Sequence, residues 1–370
     1  MYSFFMPRRS HWFVVVVVVA LALASGMAQA EDGRRKIIID QDALGPAGSN
    51  LKSILMLLSA PDVDVLGITV SSGDGWRDEN VASVLRLLEV IGRTDIGVYP
   101  GAVFPLVNTE ARSRRWQALH GSLVYQGAWS RNIPGKHPDT PFEVPVLPQG
   151  LPTIKASGTN ASEFMVSMVK RYPGEVTIWS GGPMTNLALA ARLDEKFART
   201  AKELVFMGGS FLPQPADNDF AEEYRLNPRL EFNMRFDPEA ASLVLHEPWR
   251  KITQIPVDPS TKTLWTKADI AEVASSGSPL GKYIGNYDQS LPMWDEIAAA
   301  VWLRPQIVQA QMNVLVDVDT SYAAGYGTTL SWKIGSGPGL GEQPVSVITA
   351  VDIPALVRMV KNALSDRPWR

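Results

Sequence analysis

Apolar runs of strand length alternate with amphipathic stretches along most of the chain. Lys36-Ile37-Ile38-Ile39-Asp40 reads as a buried strand closed by a carboxylate, and 51–59 follows with its apolar positions on one helical face. The next strand is 64–70, which runs into Ser71-Ser72-Gly73-Asp74. Helix 79–91 has Val81, Val84, Leu85, Leu87 and Leu88 on its apolar side, and a short strand opens at 97–100. The rhythm resumes with helix 161–170, strand 176–179, helix 187–192 and strand 203–207. Helix 237–245, strand 252–257 and helix 291–303 come next, then hairpin strands near 314–319 and 328–333 and a last helix at 353–363. Strands separated by helices in this way predict an α/β fold, a mostly parallel open sheet with helices on both faces.

Two stretches break the pattern. Residues 107–157 are rich in proline, glycine, aromatics and charges, and read as a loop-rich insertion over the sheet. The polar stretch 216–225 reads as a surface segment or lid. No repeat, low-complexity tract or linker divides the rest, so 31–370 reads as one domain. The first thirty residues are a separate case. Arg8 and Arg9 precede an apolar run of about 13 residues, and Ala28-Gln29-Ala30 supplies a small-x-small cleavage pattern. That run is too short to cross about 30 Å of hydrocarbon as a helix. Residues 1–30 therefore read as a secretory signal peptide, and the mature chain as exported, periplasmic or secreted, with no membrane attachment after cleavage.

Composition narrows the chemistry. Apolar residues make up 45% and charged residues 20% of the 370, enough for a large core and too apolar for a disordered chain. The formal net charge of −3 and pI near 5.9 provide no basic field, which argues against a nucleic-acid partner. There is no cysteine, so disulfides, zinc–thiolate centres and a cysteine nucleophile are excluded. Four histidines are too few for a site built mainly on imidazole.

In open α/β sheets, ligands bind beyond the carboxyl ends of the strands. The polar residues expected there are Asp40, Asp42, Asp74, Ser180 and Asp258, with Asn233 and Asp295 further along. Carboxylates and amides gathered at one edge suit a hard cation, which takes oxygen ligands, or a polyhydroxylated ligand. Such aspartates also commonly serve only as caps of helices and turns.

Five segments, in order from about residue 36 to the C-terminus, resemble the inosine–uridine nucleoside hydrolase family. They are Lys36-Ile-Ile-Ile-Asp40-Gln-Asp42; Val65-Leu-Gly-Ile-Thr-Val-Ser-Ser-Gly-Asp74; Trp179-Ser-Gly-Gly-Pro-Met-Thr-Asn-Leu-Ala-Leu-Ala190; Phe206-Met-Gly-Gly209 with Glu231-Phe-Asn233 and Asp237-Pro-Glu-Ala-Ala241; and Trp294-Asp295 with the alanine-rich helix after it. The resemblance implies hydrolysis of the N-glycosidic bond of ribonucleosides at a Ca²⁺ site, with a small-molecule nucleoside as substrate and a homo-oligomeric assembly, commonly a dimer or tetramer. By the same resemblance Asp42 would be a calcium ligand and the general base, Asp295 and the carbonyl of Ser180 further ligands, and Asp40 a support. Glu231 and Asn233 would hold ribose hydroxyls.

Three departures stand out. The family's Asp-Asp pair after the first strand is replaced by Ser49 and Asn50. Asn50 would still offer the metal a neutral oxygen, and Ser49 would face the substrate. Asp74 stands where the family has asparagine, and would return a charge or bind a ribose hydroxyl. Trp294 stands where some members carry a histidine. It could stack on a base with Trp76 as the second wall, which leaves His120 as the remaining proton donor to the base. Loss of the Asp-Asp pair keeps open a non-catalytic nucleoside- or sugar-binding protein of the same fold, and resemblance of fold alone leaves open a hydrolase of another N-glycoside.

Overall fold

The computed structural model describes residues 1–2, 33–130, 138, 140–211, 227 and 229–365. The segment read as a signal peptide, apart from its first two residues, and the 216–225 stretch read as a surface segment or lid lie outside the described residues. From Arg35 the chain forms one unit. Its spine is β1 (Arg35–Gln41), whose Ile37, Ile38 and Ile39 are fully buried. Burial on both faces is what a central parallel strand requires, and it explains an unbroken apolar run in place of an alternating one. The chain continues through α1 (Gly48–Ser59), β2 (Val63–Val70), α2 (Arg77–Val90), β3 (Val98–Pro100), α3 (Glu110–His120) and α4 (Ala161–Arg171). It then forms β4 (Thr177–Ser180), α5 (Thr185–Leu193), β5 (Glu203–Met207), α6 (Phe232–Phe236), α7 (Pro238–His246) and β6 (Ile252–Ile255). The last part holds α8 (Lys267–Ala274), α9 (Pro279–Tyr287), α10 (Trp294–Leu303), β7 (Val308–Val318), β8 (Thr329–Lys333), β9 (Pro344–Val351) and α11 (Ile353–Leu364).

The strands make one nine-stranded sheet in the order β3-β2-β1-β4-β5-β6-β9-β7-β8. All neighbours are parallel from β3 to β9, and β7 runs antiparallel to both β9 and β8. Successive residues of β1 feed opposite layers. Ile37 and Ile39 pack with α1, α2, α10 and α11, whereas Ile38 packs with α4, α5 and α7. The run Ala298-Ala299-Ala300 of α10, fully buried, lets that helix lie close against α1. Strand order reverses between β1 and β4, since β2 and β3 add on one side of β1 and β4 to β6 on the other. Connections therefore diverge above the carboxyl ends of β1 and β4, the usual ligand position in doubly wound sheets.

Several elements differ from the sequence reading. The insertion contains a real helix, α3, which the pattern hides because only Ser113 and Trp116 of its residues are buried. Helix α10 starts at Trp294, not 291, because the preceding backbone is bonded elsewhere: Trp265 N donates to Leu291 O and Met293 N to Thr263 Oγ1. Strand β9, helices α8 and α9, and the first half of β7 carry no separate signal in that reading.

Candidate active site

The ends of β1 and β4, the turn after β2 and the start of α10 deliver polar groups to one place, whereas Asp258 Oδ2 accepts from Phe211 N at 3.1 Å. Asp40 lies in β1 opposite Ser180 of β4, and Asp42 is one residue past the strand. Asp40, Asp42 and Asp295 are buried completely or nearly so, and none is ion-paired with a lysine or arginine among the described residues. Asp40 Oδ1 accepts from Thr69 Oγ1 (2.7 Å) and Asn186 Nδ2 (2.8 Å), while its buried Oδ2 has no partner. Burial pushes this carboxyl up to about 7.

The Asp42 carboxylate is held from two sides. Asn50 Nδ2 donates to Oδ1 at 2.9 Å, and the backbone N–H of Asp74 donates to Oδ2 at 2.8 Å. Its pKa is raised well above the usual range, first by burial and then by the negative charges of Asp74 and Asp295. Asp295 is raised well above the usual range as well, again chiefly by burial. Gln41, between the two aspartates, ties the group together. Its Nε2 donates to Asp295 Oδ2 (3.0 Å), and its Oε1 accepts from Asn50 Nδ2 (3.1 Å) and Asp42 N (3.0 Å).

Two glycines make room for Asp42. A Cβ on Gly73 would overlap the carboxylate of Asp42, and one on Gly182 would come within 2.9 Å of Asp42 N and Oδ1. Gly73→Ala is therefore expected to push Asp42 out of position. Displacing a reacting group by about 1 Å can cost about 10²-fold in turnover. We expect a loss of that size with KM changed far less, measured by steady-state kinetics on protein with wild-type secondary structure; full activity would show that Asp42 tolerates the shift.

The residues matched to ribose lie beside this centre. Asn233 Nδ2 donates to Gly181 O (2.9 Å) and Met207 O (3.2 Å), which bridges the ends of β4 and β5. Glu231 caps α6, accepting from Gly209, Asn233 and Met234 N–H groups at 2.8–3.0 Å. Asp74 Oδ1 accepts from the Tyr125 hydroxyl at 2.8 Å.

Other expected residues fall differently. Ser49 Oγ donates to Glu296 Oε2 (2.5 Å) and accepts from Asp295 N (3.0 Å), so its hydroxyl is spent on joining α1 to α10. Trp76 is buried in an aromatic cluster with Trp129, Phe232 and Phe236, its indole N–H donating to Pro138 O. Trp294 opens α10 with its ring half-buried and its Nε1 buried without a partner, so ring surface is what it offers a ligand. His120 is exposed at the end of α3 against Trp116, and no contact links it to the Asp42 group. Gln41, Tyr125 and Gly73 escaped sequence reasoning. Gln41 was detectable only by its place between two strand-end aspartates.

Residues 37–358 match the family model described as inosine-uridine preferring nucleoside hydrolase. The chain is 34% identical to probable uridine nucleosidase 2 of Arabidopsis thaliana over 251 residues, 68% of each chain. It is 28% identical to uridine nucleosidase 1 of the same plant, over 89% of this chain and 93% of that one. Among solved structures, a plant nucleoside hydrolase, PpNRh1, superposes with a TM-score of 0.68 at 25% identity, covering 90% of this chain and 99% of that chain.

Proposed function

Because the chain belongs to the inosine–uridine preferring nucleoside hydrolase family, and is thus a nucleoside hydrolase, we propose that it splits pyrimidine ribonucleosides, uridine foremost, into ribose and free base with Asp42 activating water. The observation that carries this reading is the Asp42 carboxylate, buried among negative charges and clamped at both oxygens. Its raised pKa makes it a stronger base than a free aspartate, and the two hydrogen bonds fix its direction. Asp74, Glu231 and the Oδ1 of Asn233 lie beside it as acceptors for ribose hydroxyls. As the glycosidic bond breaks, positive charge develops on the ribosyl ring, and the carboxylates stabilise it in a site with little water. Similarity to uridine nucleosidases supports the choice of uridine, and the half-buried ring of Trp294 suits stacking on a planar base.

The residues fit a hard divalent cation. Three buried carboxylates without lysine or arginine partners, one of them with an orphaned oxygen, form an all-oxygen donor set of the kind Ca²⁺ takes. Asp42, Asp295, Asn50 and the Ser180 carbonyl would hold it. Bound there, calcium would lower the pKa of the attacking water and set its orientation. Asn50 in place of a carboxylate weakens that hold. With the leader at 1–30 removed, the enzyme would work outside the cytoplasm.

The test is ribose release from uridine, cytidine, inosine, adenosine and guanosine, with Ca²⁺ and with EGTA. Uridine is expected to be fastest, and release is expected to fall sharply in EGTA. Release that ignores EGTA would remove calcium from the reading. A folded protein that frees no ribose from any of them would be a binder, or a hydrolase of another N-glycoside.

A further inference from the structure

A second polar cluster lies at the opposite edge of the sheet, where β6 and β9 begin. His246 ends α7, Asp317 lies near the end of β7, and Glu342 sits two residues before β9. One candidate ligand atom from each falls within 4.8 Å of the others. We infer that His246, Asp317 and Glu342 form a structural binding site for a divalent transition-metal ion of the zinc class, separate from the active site.

Three observations carry this. First, the imidazole is oriented as a ligand would be. His246 Nδ1 lies 2.8 Å from the Ser242 carbonyl, an acceptor only, so Nδ1 bears a hydrogen and Nε2 is the nitrogen left to bind an ion. That Nε2 is buried and makes no hydrogen bond. Second, the spacing is right. Nε2 is 3.7 Å from Asp317 Oδ2 and 3.9 Å from Glu342 Oε1. A tetrahedral ion with bonds of about 2.0–2.2 Å puts neighbouring ligand atoms about 3.3–3.6 Å apart, so a contraction of a few tenths of an ångström closes the site.

Third, the carboxylates lack any other positive partner. Glu342 has a side chain only 2% exposed, and neither it nor Asp317 pairs with a lysine or arginine among the described residues. Backbone N–H groups position both: Val318 N donates to Asp317 Oδ1 at 2.7 Å, leaving Oδ2 toward His246, and Leu340 N bonds Glu342. One nitrogen and two oxygens with a partly open side suit zinc with a water as fourth ligand. The ion would clip the β7–β9 antiparallel pair to α7.

The probe is Zn²⁺ itself, added to chelator-stripped full-length chain and followed by calorimetry and thermal melting. Three variants accompany the wild type: His246→Gln, Asp317→Asn, and Asp42→Asn as a control for zinc taken up at the active site. At Zn²⁺ about 100-fold above Kd, the wild type and Asp42→Asn should melt about 4 °C higher. His246→Gln and Asp317→Asn should each lose one bound equivalent and that shift, while ribose release with Ca²⁺ persists. Asp317→Asn keeps the test alive if His246→Gln fails to fold. A zinc-induced shift that survives in Asp317→Asn, or vanishes in Asp42→Asn, or is absent from the wild type, overturns the assignment and leaves an ordinary histidine–carboxylate ion pair.

Discussion

With asparagine in place of Asp42, kcat for nucleoside hydrolysis is expected to fall by about 10²–10⁴-fold, the span typical for loss of a general base. Asparagine has the same shape and fits between Gly73 and Gly182, so the pocket should keep its form. Its amide cannot take a proton from water. The stability effect should be small, because two terms oppose each other. Burial and the charges of Asp74 and Asp295 disfavour the ionised carboxylate at this position, and a neutral side chain removes that cost. The amide nitrogen, however, turns a donor toward either Asn50 Nδ2 or Asp74 N, where the carboxylate accepted from both. Turnover within tenfold of the wild type would remove Asp42 from the role of base.

Lys52→Met should be the most destabilising single change outside the site. Lys52 is wholly buried in α1, and its ammonium lies 3.2 Å from Asp288 Oδ2 and 3.2 Å from Glu296 Oε1, with the Trp265 ring at 5.2 Å. Removing one member of a buried ion pair typically costs about 3–5 kcal/mol, because the partner charge stays buried without compensation. Here two carboxylates are left behind. Asp288 also receives Trp265 Nε1–H and the Gly48 N–H, and Glu296 receives the Ser49 hydroxyl. The loss thus spreads to the start of α1 and to α10, which carries Asp295.

The pH dependence has a defined sign. Burial already raises Glu296 above its ordinary range, and Lys52 pulls it back. Without the lysine its folded pKa climbs further, and a group raised on folding loses its stabilising contribution as pH rises. Urea unfolding should therefore show a deficit that widens from about pH 4.5 upward, and Glu296→Gln added to Lys52→Met should recover part of it. A deficit below about 1 kcal/mol at neutral pH would mean the network carries little.

The alternation of apolar strands and amphipathic helices was enough to read the parallel core, because β1, β4 and β5 are buried on both faces and leave unbroken apolar runs. It failed where burial is one-sided or slight. Helix α3 hides only two residues, and β7 turns Gln309, Ala310 and Gln311 to solvent, so its first half lacks an apolar period. Asp40, Asp42 and Asp295 could be placed together because strand ends and a helix start define one edge. Gln41 could not, since a strand residue between two aspartates is expected to face away from both, and only the end of the strand lets it turn. Tyr125 comes from a loop whose course no periodicity records.

The order of strands also bears on when the site can exist during synthesis. β1 finds its second neighbour in β4 only after about 140 intervening residues, and Asp295 reaches Gln41 across 254 positions. Contacts between such distant points in the chain form late, because the entropy of closing the loop is lost before the contact rewards it. No nascent fragment ending before α10 holds both Asp42 and Asp295. If both carboxylates act in hydrolysis, a chain that lacks its last quarter has no active site, however well its first strands have paired.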